Sequence, residues 1–150
     1  MHLHLLHGTE SGTAEFLCDD LKSVLSGDVE CSVASLDDID PLNMADDRHY
    51  VIVVSTFGSG ELPFTAQAFF AKIKAETPDL SHVRFSIFGL GDTTFDTTYN
   101  HGSEQMMNQM LACKARMIGE RGMFDAASNE MPEDVAEVWL RQIISAQTVA

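Results

Sequence analysis

Residues 50–63 read YVIVVSTFGSGELP. Val51-Ile52-Val53-Val54 is an unbroken β-branched run, and such runs suit parallel strands buried on both faces, where polar and apolar residues need not alternate. This strand is expected in the middle of a sheet. It gives way at Ser55 to a glycine-rich loop and then to a helix marked by Ala66, Phe69, Phe70 and Ile73. Strand, loop and helix form the repeating unit of a parallel α/β sheet.

The unit recurs on both sides. Upstream, Leu3 to Leu6 reads as a short strand ending at Gly8. From Thr13 to Leu25 apolar residues return at helical spacing (Ala14, Phe16, Leu17, Leu21, Val24, Leu25). Val29 to Ala34 reads as a second strand, and the acidic stretch from Asp37 to Asp47, with Pro41, as a poorly ordered crossover or short helix. Downstream, Val83 to Gly89 is a strand, and Met106, Met110, Cys113 and Met117 fall on one helical face. Ile118 to Phe124 is a weaker strand interrupted by Gly119 and Gly122. Pro132 opens a last amphipathic helix carrying Val135, Val138, Trp139 and Ile143. The pattern predicts one domain over residues 1–150: a three-layer α/β sandwich with a five-stranded parallel sheet and right-handed crossovers.

Composition agrees with a globular domain and narrows the partners. The 150 residues are 45% hydrophobic and 21% charged, which fits neither a disordered chain nor a membrane protein. Nine Lys and Arg against 23 Asp and Glu leave a net charge of −14, which phosphate backbones and anionic lipid surfaces repel. Basic protein surfaces are the better partners. The N-terminal MHLHLLHG lacks a basic n-region and a small-residue cleavage site, so no signal peptide is expected. Cys18, Cys31 and Cys113 have neither the even count of a disulfide framework nor metal-site spacing, and a reducing cytoplasm is the expected location.

In open parallel sheets ligands sit beyond the carboxyl ends of the strands, where strand order reverses. Three loops occupy that edge. Gly8 to Ala14 (GTESGTA) joins a strand to a helix, and its backbone N–H groups and the hydroxyls of Thr9, Ser11 and Thr13 suit a phosphate. It lacks the lysine of a P-loop NTPase and the G-x-G-x-x-G spacing of a dinucleotide site. STFGSGELP (55–63) brings Phe57 to the end of a buried strand, and GLGDTTFDTTYN (89–100) carries Phe95 and Tyr99. Aromatics on two facing loops can clamp a flat ring.

Together GTESGTAEF, STFGSGELP and FGLGDTTFDTTYN resemble the three cofactor loops of the flavodoxin family. The chain is most similar to its short, MioC-like FMN-binding members, whose motifs are shared with the FMN domains of diflavin reductases. The likeness runs over essentially the whole chain, and the sheet order 2-1-3-4-5 is inherited from it. The resemblance implies that Thr9, Glu10, Ser11, Gly12, Thr13 and Ala14 hold the FMN phosphate, Glu10 and Ala14 mainly through backbone groups. It places Ser55, Thr56, Phe57, Gly58, Ser59 and Gly60 at the inner ring face. Phe57 would cover that face, and Gly58 would supply the peptide carbonyl that turns toward flavin N5 on reduction. Leu90, Gly91 and Asp92 would offer backbone groups to the pyrimidine edge, Phe95 would cover the outer face, and Tyr99 and Asn100 would close the edge. The third loop is one residue longer between Phe95 and Asn100 than in diflavin reductases. The insertion that splits the last strand of long-chain flavodoxins has no room here. Asp125 matches a fourth contact loop loosely.

The implied function is a monomeric, low-potential, one-electron carrier with FMN as cofactor and no catalytic residues or metal of its own. It would pass electrons from a basic-faced donor of the flavodoxin or ferredoxin reductase type to an acceptor enzyme. No basic residue falls within 9–14, 55–63 or 89–100, whereas Glu10, Glu61, Asp92 and Asp96 do, so a reduced, anionic ring meets carboxylates rather than a cation. His2 and His4 share one strand face without a third metal ligand, and His49, His82 and His101 are expected at the surface or as caps. Three alternatives remain: an accessory docking module with little or no flavin, an FMN-dependent quinone reductase, and a phospho-receiver domain. The last needs acidic residues after the first and third strands and a lysine after the fifth, and His7-Gly8 and Thr56-Phe57 stand at the first two places.

Overall fold

A computed structural model describes residues 2–9, 12–56, 61–92 and 100–149, the side chains of 148 and 149 excepted. In chain order the elements are β1 (His2–Gly8), α1 (Thr13–Leu25), β2 (Glu30–Ser35), two 3-10 turns (Leu36–Asp38 and Pro41–Asn43), β3 (His49–Ser55) and α2 (Phe64–Glu76). They continue with β4 (Arg84–Gly91), α3 (His101–Ala112), β5 (Arg116–Met117), β6 (Gly122–Asp125) and α4 (Pro132–Val149). Between these strands the pairings are parallel, and the sheet runs β2-β1-β3-β4-β5 with β6 also on β4. Because β3 occupies one edge of β4, β5 and β6 share the other: the fifth strand position is filled by two pieces. Gly119, at φ +77°, lies between them, where a Cβ would press on Ile143 of α4 at 2.7 Å. The chain steps out of the ladder there and lets α4 close on the sheet.

The β-branched run lies in the central strand as expected. Tyr50, Ile52 and Val54 face one core, shared with Ala66, Phe69 and Ile73 of α2 and Met106 and Met110 of α3. Val51 and Val53 face the other, shared with Ala14, Leu17, Leu21 and Leu25 of α1 and Ala136 and Leu140 of α4. These two cores are the physical content of the three-layer architecture.

Several expectations are corrected. Met117 does not continue the α3 stripe: the helix ends at Ala112, Lys114 turns the chain at φ +72°, and Met117 pairs with Phe85 in β5. Phe16, Val24 and Val138 have helical spacing yet are 72%, 48% and 60% exposed, so the buried stripes of α1 and α4 are narrower than the apolar pattern. His49 is not at the surface. It is fully buried, with its Nε2 2.8 Å from Ser86 Oγ and its Nδ1 3.1 Å from Gln147 Nε2.

Candidate functional site

The site is built at the carboxyl ends of β1, β3 and β4. The first loop leaves β1 at Gly8, which packs so closely on α2 that a Cβ there would meet Ala66 Cβ at 2.8 Å. Thr9 is then fixed three times. Its N–H donates to Thr65 Oγ1 at 2.7 Å, its carbonyl accepts from the same hydroxyl at 3.0 Å, and its own Oγ1 accepts from Gly12 N–H at 2.8 Å. Gly12 takes φ +94°, a left-handed conformation that glycine adopts without the steric cost of a Cβ, and from there α1 begins. Phe16 N–H donates to the Gly12 carbonyl at 3.0 Å. The N–H groups of Thr13, Ala14 and Glu15 therefore precede the first intrahelical bond, and Gly12 at the N-cap has no side chain to cap them. Thr13 is exposed and Ala14 buried. Glu10 and Ser11 lie outside the described residues.

The second loop leaves β3 at Ser55, which is half-buried. Thr56 is tied to the fold: its N–H donates to the Leu90 carbonyl at 3.1 Å, and its Oγ1 accepts from Gly102 N–H at 2.9 Å in the first turn of α3. Gly102 permits this approach, since a Cβ would lie 2.9 Å from the Ser55 carbonyl. Phe57, Gly58, Ser59 and Gly60 are outside the described residues.

In the third loop Leu90 is buried, and the Gly91 carbonyl accepts from Ala126 N–H at 2.8 Å. Asp92 is half-buried, and Phe95 and Tyr99 fall outside the described residues. Asn100 is fully buried. It has φ +52° at the start of α3, Nδ2 is 3.5 Å from the Phe124 carbonyl, and Oδ1 has no hydrogen-bond partner among the described residues. Its side chain occupies the space that Cβ atoms on Gly89 and Gly91 would need. The Asn100 carbonyl accepts from Ser103 Oγ at 2.9 Å and from Arg121 Nη1 at 3.1 Å, and the guanidinium also reaches Ser103 Oγ at 3.1 Å.

Thr65, Gly102 and Arg121 are the contributors that sequence spacing does not expose. Arg121 matters most for charge, because it brings a cation to the foot of a loop whose own residues carry none. Cys18, Cys31 and Cys113 are free, and burial raises the thiol pKa of Cys18 and Cys31, which disfavours the thiolate there. Among the described residues no three His, Cys, Asp or Glu are grouped to hold a metal ion, and no helix is long and apolar enough to cross a membrane.

The sequence model of the family Flavodoxin matches residues 5–139. The chain belongs to the flavodoxin family. Members are FMN-binding proteins that generally carry electrons. Among curated relatives, the Protein MioC homolog of Haemophilus influenzae is 29% identical over 144 residues, covering 96% of this chain and 97% of that protein. The NADPH-dependent diflavin oxidoreductase 1 of Schizosaccharomyces pombe is 28% identical over 148 residues, covering 96% of this chain, which spans 25% of the length of that enzyme. The solved structure of a cysteine-to-alanine mutant of Flavodoxin from Pseudomonas aeruginosa superimposes with a TM-score of 0.83 at 28% identity, over 97% of this chain and 98% of that one.

Proposed function

We propose that this chain binds FMN through its three loops and passes single electrons at low potential from a reductase to an acceptor enzyme. The observation that carries the reading is the start of α1. Its first-turn N–H groups, with no side-chain cap from Gly12, follow that residue's left-handed turn, behind a Thr9 held from α2. That donor set fits a phosphate, since N–H groups at the positive end of a helix dipole favour an anion; the first turn carries one carboxylate, the exposed Glu15. Thr9 Oγ1 already accepts from Gly12, and its hydroxyl proton remains a donor for a phosphate oxygen.

In this reading Thr9, Glu10, Ser11, Gly12, Thr13 and Ala14 hold the phosphate. Ser55 to Gly60 line one face of the ring, with Phe57 against it, and Leu90, Gly91 and Asp92 run along its pyrimidine edge with Phe95 and Tyr99 beyond. The Thr56 hydroxyl is oriented by the bond it accepts from α3 and keeps its proton as a donor, while its N–H is taken by the Leu90 carbonyl. Asn100 stands at the end of the third loop with its buried Oδ1 unpartnered among the described residues. Bound FMN supplies the one-electron redox chemistry, and the protein's part is to orient the ring, exclude water from it and set its electrostatic surroundings. The acidic surface, including exposed Asp37, Asp38, Asp40, Asp46 and Asp47, suits basic-faced redox partners.

The test is an FMN titration of the purified protein followed by stepwise reduction under a visible spectrometer. A one-electron-reduced flavin spectrum, with the second electron added below the potential of free FMN, is the expected result. No spectral shift on adding FMN overturns the proposal and leaves an accessory docking module in its place.

A further inference from the structure

We infer that Thr65, outside the three loops, positions the first loop for a phosphate and thereby sets a preference for a phosphorylated flavin over an unphosphorylated one. The inference rests on the FMN reading above. Thr65 stands in the first turn of α2, yet its single hydroxyl accepts from Thr9 N–H at 2.7 Å and donates to the Thr9 carbonyl at 3.0 Å. Bonds to the peptide groups on both sides of Thr9 restrain its two backbone dihedrals together. Thr9 passes the restraint on, because its Oγ1 accepts from Gly12 N–H at 2.8 Å. Two hydrogen bonds side by side, and a third after them, thus run from α2 to Gly12, the residue just before α1.

The anchor is stiff. Ala66, next to Thr65, is fully buried and packs so closely on Gly8 of β1 that a Cβ there would not fit. A donor array held in place loses less freedom when an anion arrives, so restraint of the loop appears as affinity. The restraint acts on the segment that would meet the phosphate and not on the segments that would meet the ring. Riboflavin, which keeps the ring and lacks the phosphate, separates the two effects.

The experiment measures FMN and riboflavin dissociation constants for the wild type and for Thr65→Val, Thr65→Ala and Thr65→Ser, with the thermal midpoint of each flavin-free protein alongside. Val is near-isosteric with Thr and makes neither bond; Ala removes both without setting a methyl against the loop, and serves if the Val variant folds poorly. Two part-buried hydrogen bonds predict that Val and Ala weaken FMN about tenfold or more while riboflavin stays within about twofold, and that Ser restores FMN binding. Equal weakening of both flavins makes Thr65 a stability residue only and overturns the inference, as does an unchanged FMN constant. A wild type that binds neither flavin overturns the FMN reading itself, a different result from either.

Discussion

Acidification should destabilise this protein through one buried imidazole. His49 opens β3, at the end of the sheet away from the loops, and is fully buried. Ser86 Oγ donates to the Ile118 carbonyl at 2.6 Å, so it must accept from His49 Nε2–H, and Nδ1 is left to accept from Gln147 Nε2. The neutral ring is satisfied on both sides. A second proton would stand against the Gln147 amide donor, with Arg84 paired opposite on β4. Burial first, and the Arg84 charge second, lower the His49 pKa from 6.5 to about 4. In the unfolded chain the ring keeps its ordinary value. As pH falls through 6.5 the unfolded state takes up the proton first, so stability is lost between about pH 6.5 and 4 and levels off below. At about 1.36 kcal/mol per unit, the loss is roughly 2 kcal/mol at pH 5 and about 3 kcal/mol at the plateau. The assay is urea unfolding of the wild type and His49→Gln at pH 7.5, 6 and 5. The wild type should be more stable at pH 7.5 by about 1–3 kcal/mol, the usual cost of breaking buried hydrogen bonds. That gap should shrink by about 2 kcal/mol at pH 5, while the carboxylates, common to both proteins, cancel in the difference. A gap that stays constant to within about 0.5 kcal/mol refutes the reasoning, as does an NMR titration placing His49 at its ordinary value in the folded protein. Flavin affinity per folded molecule should not follow this term, since His49 is remote from the loops.

The other predictions concern the site. Gly89→Ala places a Cβ into Asn100 Oδ1 and Ser103 Oγ, both on fully buried residues; it should cost about 3 kcal/mol or more by chemical unfolding, and a variant within about 1 kcal/mol of wild type, the cost of a tolerated core change, would contradict the packing. Arg121→Gln keeps an N–H donor for the Asn100 carbonyl and removes a positive charge at the third loop. Redox titration should find the potential of the bound flavin lowered by some tens of millivolts, the shift shrinking with added salt; an unchanged or raised potential sinks it. The rate of electron transfer to a basic partner should fall with ionic strength, in keeping with the net charge of −14; stopped-flow rates indifferent to salt would remove the steering role.

What the sequence made legible, and what it hid, divide along a physical line. Periodicity reports burial of an element's face, so Val51 to Val54, the α1 stripe and the two cores could all be read. It reports less well where single apolar residues sit in solvent, as Phe16 and Val138 do, because a folded surface is itself largely apolar. It is silent on contacts between residues that only the topology brings together. Thr9 and Thr65, Thr56 and Gly102, and Arg121 and Asn100 are far apart in the chain, and each pair sets the form of a loop that looks self-contained in the sequence. Lys114 takes a left-handed turn without a glycine to announce it, so the α3 stripe seemed to continue to Met117.

The charge of the site shows why that division matters for function. Counting residues within the three loops gives carboxylates at Glu10, Glu61, Asp92 and Asp96 and no cation, from which a strongly lowered potential follows. The fold adds a guanidinium 3.1 Å from the Asn100 carbonyl, held by neutral acceptors, with no carboxylate bonded to it among the described residues. A charge neutralised by a partner has a short-range field, whereas one held by neutral groups keeps its full monopole and is attenuated only by solvent and salt. Arg121 brings a positive charge against the loop carboxylates, whereas Arg48 and Arg141 are offset by Asp47 and Asp28. The potential of a bound flavin then follows from a difference between opposing terms rather than from the sign of the net charge. The Arg121→Gln titration measures one side of that difference directly.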